Sequence, residues 1–273
     1  MTADAPDVTY DTGTAKLLAS RAGGVATLTF NNPEKHNALA REMQLALPGT
    51  LEQIRADADV RVLVITGAGN RAFVSGADIS EFGQHRTRDA DRAEYDRAGA
   101  ATSRAWAAFD KPIVAEIRGY CIGGGLLTAL AADIRIASDD SQFAVPAARL
   151  GLGYPLSGVD ALASVVGRAW AAEILFSARR LTADEAVQIG LINRAVPAGD
   201  LHATVADLAG RIAANAPLTI AAVKASLQEL RRPAGSRDLA RVADLVTACF
   251  RSDDYREGQA AFAERRPPRF EGH

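Results

Sequence analysis

Apolar and polar positions follow two rhythms along the chain. A two-residue period over Thr14–Ser20 and Val25–Phe30 predicts two strands, joined as a hairpin by Arg21-Ala22-Gly23-Gly24. Helical spacing over Ala38–Ile54 predicts a helix kinked at Pro48-Gly49. Arg61–Thr66 and Pro112–Ile117 are short apolar runs of the buried-strand type, and Asp133–Ala137, Ser141–Ala144 and Ile192–Val196 predict further short strands. Asp89–Phe109 and Leu126–Ala132 predict helices. Thr182-Ala183-Asp184-Glu185 is a capping box that opens a helix closing at Gly190. After about residue 158 the rhythm turns helical, and from Asp200 onward amphipathic helices are separated at Pro217, Pro233 and Asp253. Strands alternating with helices, then helices alone, predict an α/β core with a helical C-terminal region. The core is expected over residues 1–199, with 1–13 as a loose tail, and the helical region over 200–273. The amphipathic faces of that region suit packing on another subunit.

Composition narrows the function classes. The chain has 273 residues, enough for a large core, and is 48% hydrophobic and 23% charged. A net charge of −2 gives no general attraction to nucleic acid or to an anionic membrane. No apolar run approaches the ~20 residues of a membrane span. The polar, acidic stretch Met1–Thr14 lacks the features of a secretory signal, so a cytoplasmic protein is expected. Cys121 and Cys249 are too few for a disulfide framework and are read as free thiols. With His36, His85, His202 and His273 scattered and placed in turns or surface segments, no metal-ligand spacing appears.

Two glycine-bearing turns carry the candidate chemistry. Ser75-Gly76-Ala77-Asp78 and Gly123-Gly124-Gly125 each follow a strand-like run, and each precedes a segment able to start a helix. Such a pair can aim two backbone N–H groups at one point, an oxyanion hole that stabilises charge developing on a carbonyl oxygen. Other motifs fall away. Gly67-Ala68-Gly69-Asn70-Arg71-Ala72 matches a dinucleotide pattern, but it lacks a following helix start and the ribose-binding acid, so it reads as a turn. No G-x-S-x-G elbow exists, and Ser157 reads as the N-cap of a helix starting at Val159.

Taken together, these residues resemble the crotonase family, also called the enoyl-CoA hydratase/isomerase family. The matching pieces run nearly end to end: Asn32-Pro33-Glu34-Lys35-His36-Asn37-Ala38-Leu39, Phe73–Ile79, Lys111-Pro112-Ile113, Gly119-Tyr120 with Gly123–Gly125, Ala132–Ala137, Phe143, Thr182–Ala186, Gly190–Asn193 and Tyr255–Gly258. The resemblance implies a crotonase-type spiral of repeated ββα turns, self-association as a trimer or a dimer of trimers through the C-terminal helical region, and an acyl-CoA substrate. It implies no cofactor beyond the CoA that the substrate carries. By position, the oxyanion donors are the N–H groups of Ala77 and Gly124. Lys35, Ser75, Gly76, Asp78 and Ile79 line the CoA path, and Phe262 and Arg265 approach the CoA of the same or a neighbouring subunit.

The departures from the family pattern bear on the reaction. Family hydratases hold water between two glutamates, and those positions are Leu127 and Ala147 here. Neither side chain can deprotonate water or protonate Cα. Tyr154, in Leu150-Gly151-Leu152-Gly153-Tyr154-Pro155-Leu156-Ser157-Gly158, is the candidate acid, with a purely structural tyrosine before proline as the alternative. This segment and the C-terminus are similar to those of methylmalonyl-CoA decarboxylase, a crotonase relative that has histidine where Ala77 stands. The expected reaction is therefore decarboxylation of a short malonyl-type CoA. Two alternatives stay open: an enoyl-CoA hydratase/isomerase of fatty-acid metabolism that uses Tyr154, Glu116, Glu81 or Asp160, and a non-catalytic acyl-CoA-binding protein.

Overall fold

A computed structural model describes residues 6–78 and 89–273. The chain alternates between two sheets. The larger has seven strands in the order β1-β2-β3-β4-β6-β8-β11: β1 (Val8–Tyr10), β2 (Leu17–Ala22), β3 (Val25–Phe30), β4 (Val62–Gly67), β6 (Ile113–Ile117), β8 (Ile134–Ser138) and β11 (Arg194–Val196). The smaller has four in the order β10-β9-β7-β5: β5 (Ala72–Val74), β7 (Tyr120–Ile122), β9 (Gln142–Ala144) and β10 (Leu181–Thr182). Each of β4, β6 and β8 in the large sheet is followed by β5, β7 or β9 in the small one, then by helical chain. The result is a spiral of ββα turns.

Helices fill and cover the spiral. They are α1 (Arg41–Ala56), α2 (Asp89–Ala108), α3 (Gly124–Leu130), α4 (Leu156–Ser177), α5 (Ala183–Gln188), α6 (Leu201–Ala213), α7 (Pro217–Leu230), α8 (Leu239–Arg251) and α9 (Asp253–Glu264). The inner residues Leu63 and Ile65 of β4, and Ile113, Ala115 and Ile117 of β6, join the main core with α1, α3 and α4. The alternate residues Val62, Val64 and Val114 face the other way, under Leu201, Val205 and Ala209 of α6. A strand covered on both faces needs a continuous apolar run, as Val62–Ile65 supplies. The small sheet is pinned by its middle residues Phe73, Cys121 and Phe143, all with 0% exposure.

Several elements differ from the sequence expectation. Val8–Tyr10, within the expected loose tail, pairs antiparallel with β2, and the Tyr10 hydroxyl donates to Asp57 at 2.6 Å. α1 continues through Pro48 as one helix, and Met43, Leu47, Leu51 and Ile54 hold it on both sides of the proline. α4 starts at Leu156 with Pro155 as N-cap, so Ser157 lies inside the helix and caps nothing. The capping box at Thr182 and Glu185 is formed by both of its reciprocal bonds. Among the described residues no helix is long and apolar enough to cross a membrane, and no group of three or more His, Cys, Asp or Glu is placed to hold a metal ion.

Candidate functional site

The strands β5, β7 and β9 run parallel, so their C-terminal ends share one edge of the small sheet. The residues that leave those ends, Ser75–Ala77, Gly123–Gly124 and Pro146–Ala147, are thereby gathered from three distant parts of the chain. Open α/β sheets place ligands at such an edge.

After β5, the Ser75 N–H donates to the His36 carbonyl at 3.1 Å. The Leu39 N–H then donates to the Gly76 carbonyl at 2.7 Å, and the Asp78 N–H donates to the Leu39 carbonyl at 3.1 Å. This is a single parallel bridge between Leu39 and Ala77. It engages the groups on either side of Ala77, so the Ala77 N–H faces away from Leu39.

After β7, Gly123 adopts φ 55° and ψ −114°, a conformation open to glycine. Its N–H donates to the Ala144 carbonyl at 2.8 Å. α3 then begins at Gly124, whose N–H lies in the first turn and has no acceptor within the helix. Gly125 brings the helix start against β5: a Cβ there would lie 2.0 Å from the Val74 carbonyl oxygen. A Cβ on Gly124 would lie 3.7 Å from the Ala77 nitrogen. The Ala77 and Gly124 amides thus border one small space, and among the described residues neither has an acceptor. Two such donors can stabilise an oxygen that gains negative charge.

The wall beside these donors is apolar. Leu127 lies one turn along α3 from Gly124. Pro146, which precedes the buried Ala147, has its Cδ 3.8 Å from where a Cβ on Gly123 would stand. Tyr154 is half-buried against the main core, and among the described residues its hydroxyl has no hydrogen-bond partner. Burial pushes the pKa of that phenol up, so it stays protonated at neutral pH. Of the expected alternative acids, the two described ones, Glu116 and Asp160, face away from this wall. Glu116 points from β6 toward the α6 side, where its Oε2 lies 3.3 Å from His202 Nδ1. Asp160 is exposed on α4, and Glu81 lies outside the described residues. The alternation of Val114 and Glu116 opposite Ala115 and Ile117 is the sequence signal that separates Glu116 from the site.

Lys35 Nζ pairs with Asp78 Oδ2 at 2.7 Å, and the Ser75 hydroxyl donates to the Lys35 carbonyl at 3.3 Å. These two contacts tie the Asn32–Leu39 turn to the loop after β5. His36 is not a solvated turn residue: its ring meets Tyr120 edge-on at 5.9 Å, and among the described residues its buried Nε2 has no hydrogen-bond partner. Ile79 lies outside the described residues. Phe262 is 87% exposed, and Arg265 forms the C-cap of α9. Phe262 borders a groove of about 660 Å³ between α7, α8 and α9.

Comparison with known proteins gives concordant results. The sequence model of a family described as "Enoyl-CoA hydratase/isomerase" matches residues 20–273. A short-chain-enoyl-CoA hydratase from Clostridium acetobutylicum is 33% identical, over 92% of this chain and 95% of its own. A crotonyl-CoA hydratase from Syntrophomonas wolfei is 34% identical, over 93% of this chain and 97% of its own. The crystal structure of an enoyl-CoA hydratase/carnithine racemase from Magnetospirillum magneticum superposes with a TM-score of 0.88 at 35% identity, covering 94% of this chain and 96% of that one.

Proposed function

The chain belongs to the enoyl-CoA hydratase/isomerase family, and from that premise we propose that it acts on 2-enoyl-CoA thioesters through a stabilised enolate. The observation that supports this reading is the close approach of the two turns: a Cβ on Gly124 would stand 3.7 Å from the Ala77 nitrogen. The thioester oxygen accepts from both amides and gains charge as the enolate forms. The donors therefore bind the transition state more tightly than the ground state. Lys35, Ser75, Gly76 and Asp78 line the CoA path, and Phe262 and Arg265 reach CoA from the same or a neighbouring copy. No cofactor is used beyond the CoA of the substrate.

Hydration is supported by the names of the relatives. With Leu127 and Ala147 in place of carboxylates, it proceeds here through one acid. Water oxygen bonds to Cβ, and the alkene electron pair moves to form the enolate. The Tyr154 O–H bond breaks as a C–H bond forms at Cα, and the phenolate takes the proton released by the attacking water. Such acid catalysis contributes about 10²–10⁴-fold.

A second reading is decarboxylation of a malonyl-type thioester, favoured by the apolar wall of Leu127 and Ala147. The electron pair of the bond to CO₂ becomes the enolate, with no base needed; the Tyr154 O–H then protonates Cα, and the phenolate regains a proton from solvent water. Incubation with crotonyl-CoA and, separately, with malonyl-CoA and methylmalonyl-CoA decides between them by product mass. Gain of water on crotonyl-CoA supports hydration. Loss of CO₂ above the spontaneous rate moves the assignment to decarboxylation. Tight binding of all three without product assigns the chain as an acyl-CoA-binding protein.

A further inference from the structure

Gly158 lies buried in the first turn of α4, directly against the Tyr154 ring. A Cβ built on it would stand 2.9 Å from Tyr154 Cε1, 3.4 Å from Tyr154 Cδ1 and 3.3 Å from Leu127 Cδ2. The edge of the phenol ring therefore occupies the space that the first side-chain carbon of any other residue would take. The backbone does not demand glycine here: the position is helical, and Gly158 is absent from the residues with positive φ. In a helix, glycine is less stable than alanine. Among the described residues, the three heavy atoms nearest that Cβ all belong to Tyr154 and Leu127, so their packing is what requires glycine at residue 158.

We propose that Gly158 is a positioning residue: its missing side chain lets the Tyr154 ring lie against α4 and Leu127, which hold the phenol by contact alone and leave its O–H free for the substrate. The inference rests on the reading of Tyr154 as the proton donor to the enolate. A phenol fixed by a hydrogen bond would have to break that bond before donating. Here no described residue accepts from Tyr154, and the ring is fixed by shape. Close packing of this kind holds a donor in the geometry that proton transfer needs.

The test uses four proteins: wild type, Tyr154→Phe, Gly158→Ala and the double variant, each checked for folding by circular dichroism. Turnover is followed on whichever of crotonyl-CoA or malonyl-CoA is consumed. Gly158→Ala is expected to lower kcat by about ten-fold or more with KM nearly unchanged, since misplacement of a reacting group costs rate rather than binding. In the Tyr154→Phe background the same change is expected to cost nothing further, because the hydroxyl it displaces is gone. Wild-type kcat in Gly158→Ala overturns the proposal. So does an equal loss in both backgrounds, which marks a general structural effect. Wild-type turnover in Tyr154→Phe overturns the reading of Tyr154 itself, and the proposal with it.

A readout that needs no turnover stands beside this one. The ultraviolet difference between each protein and the same protein carrying Tyr154→Phe reports the phenolate of Tyr154. In the wild type that signal is expected to be missing at a pH where an ordinary tyrosine is already ionised. In Gly158→Ala the displaced ring meets water and titrates near the ordinary value of about 10. An unchanged titration overturns the proposal even if no substrate is consumed.

Discussion

At the residue scale, the proposed site separates holding charge from moving protons. In that proposal the amides of Ala77 and Gly124 take the first task and Tyr154 the second, since Leu127 and Ala147 can move no proton. Restoring both carboxylates tests this division. Leu127→Glu with Ala147→Glu is expected to raise crotonyl-CoA hydration by at least about 10²-fold, the low end of general acid–base catalysis, measured by loss of enoyl absorbance. No rise would mean that the backbone does not place the two positions around a water. The two glycine turns are legible in the sequence because glycines after apolar runs carry a strong local signal, and the structure brings these turns close together. The Tyr154–Gly158–Leu127 packing is not. It joins a turn residue, the start of one helix and the interior of another, and no periodicity reports such a contact. His36 misleads for the same reason: a turn residue is exposed by default until a tertiary neighbour, here Tyr120, covers it.

At the element scale, long patterns are legible throughout and short ones only in part: β8, β9 and β11 fall at stretches read as strands, whereas β5 and β7 carry no such signal. The alternation over Val25–Phe30 predicts β3, and the strand occupies those residues. β5 and β7 have three residues each, too few for a period, and they exist because Phe73 and Cys121 drop into a core built by distant strands. The helix start at Gly125 makes a sharp prediction. Gly125→Ala forces a carbon into the Val74 carbonyl and is expected to lower stability by at least about 1–3 kcal/mol in denaturant titration. Gly210→Ala, on α6 with nothing within 4 Å, is expected to raise it by about 0.5–1 kcal/mol, so a general glycine effect is distinguishable.

The tail after α9 adds a prediction about pH. Arg266 binds Glu257 through two contacts of 2.6 and 2.8 Å, and the Arg269 N–H donates to the same carboxylate at 2.8 Å. The Arg266 bonds first, and the Arg269 amide second, pull the Glu257 pKa down to about 2. A carboxylate whose folded pKa is depressed stabilises the docked tail above its unfolded value of about 4.3 and loses that contribution as pH falls through the folded value. Hydrogen exchange at the Arg269 amide is expected to lose protection between about pH 4.3 and 2, and Glu257→Gln is expected to flatten that dependence. Protection that is independent of pH in the wild type would remove the ion pair as the clamp.

At the scale of the whole molecule, α8 has no buried residue, although one of its faces is apolar. Leu239 and Phe250 on α8 are 65% and 62% exposed, and Phe262 on α9 is 87% exposed. Contiguous apolar surface of this kind marks an interaction face. Self-association as a trimer or a dimer of trimers is the proposed use. Phe250→Asp with Phe262→Asp is expected to reduce the mass in light scattering to that of one chain. An unchanged mass would place the contact elsewhere, and a wild type already of single-chain mass would refute self-association.

The two groups proposed to stabilise charge are main-chain amides, and that has a historical consequence. Apart from proline, no point substitution at Ala77 or Gly124 deletes such a donor. The residues proposed to choose the reaction are ordinary side chains at Leu127, Ala147 and Tyr154, each exchangeable by a single mutation. In this architecture the capacity to hold an enolate is inherited with the backbone, while the fate of that enolate is free to drift from one descendant to the next.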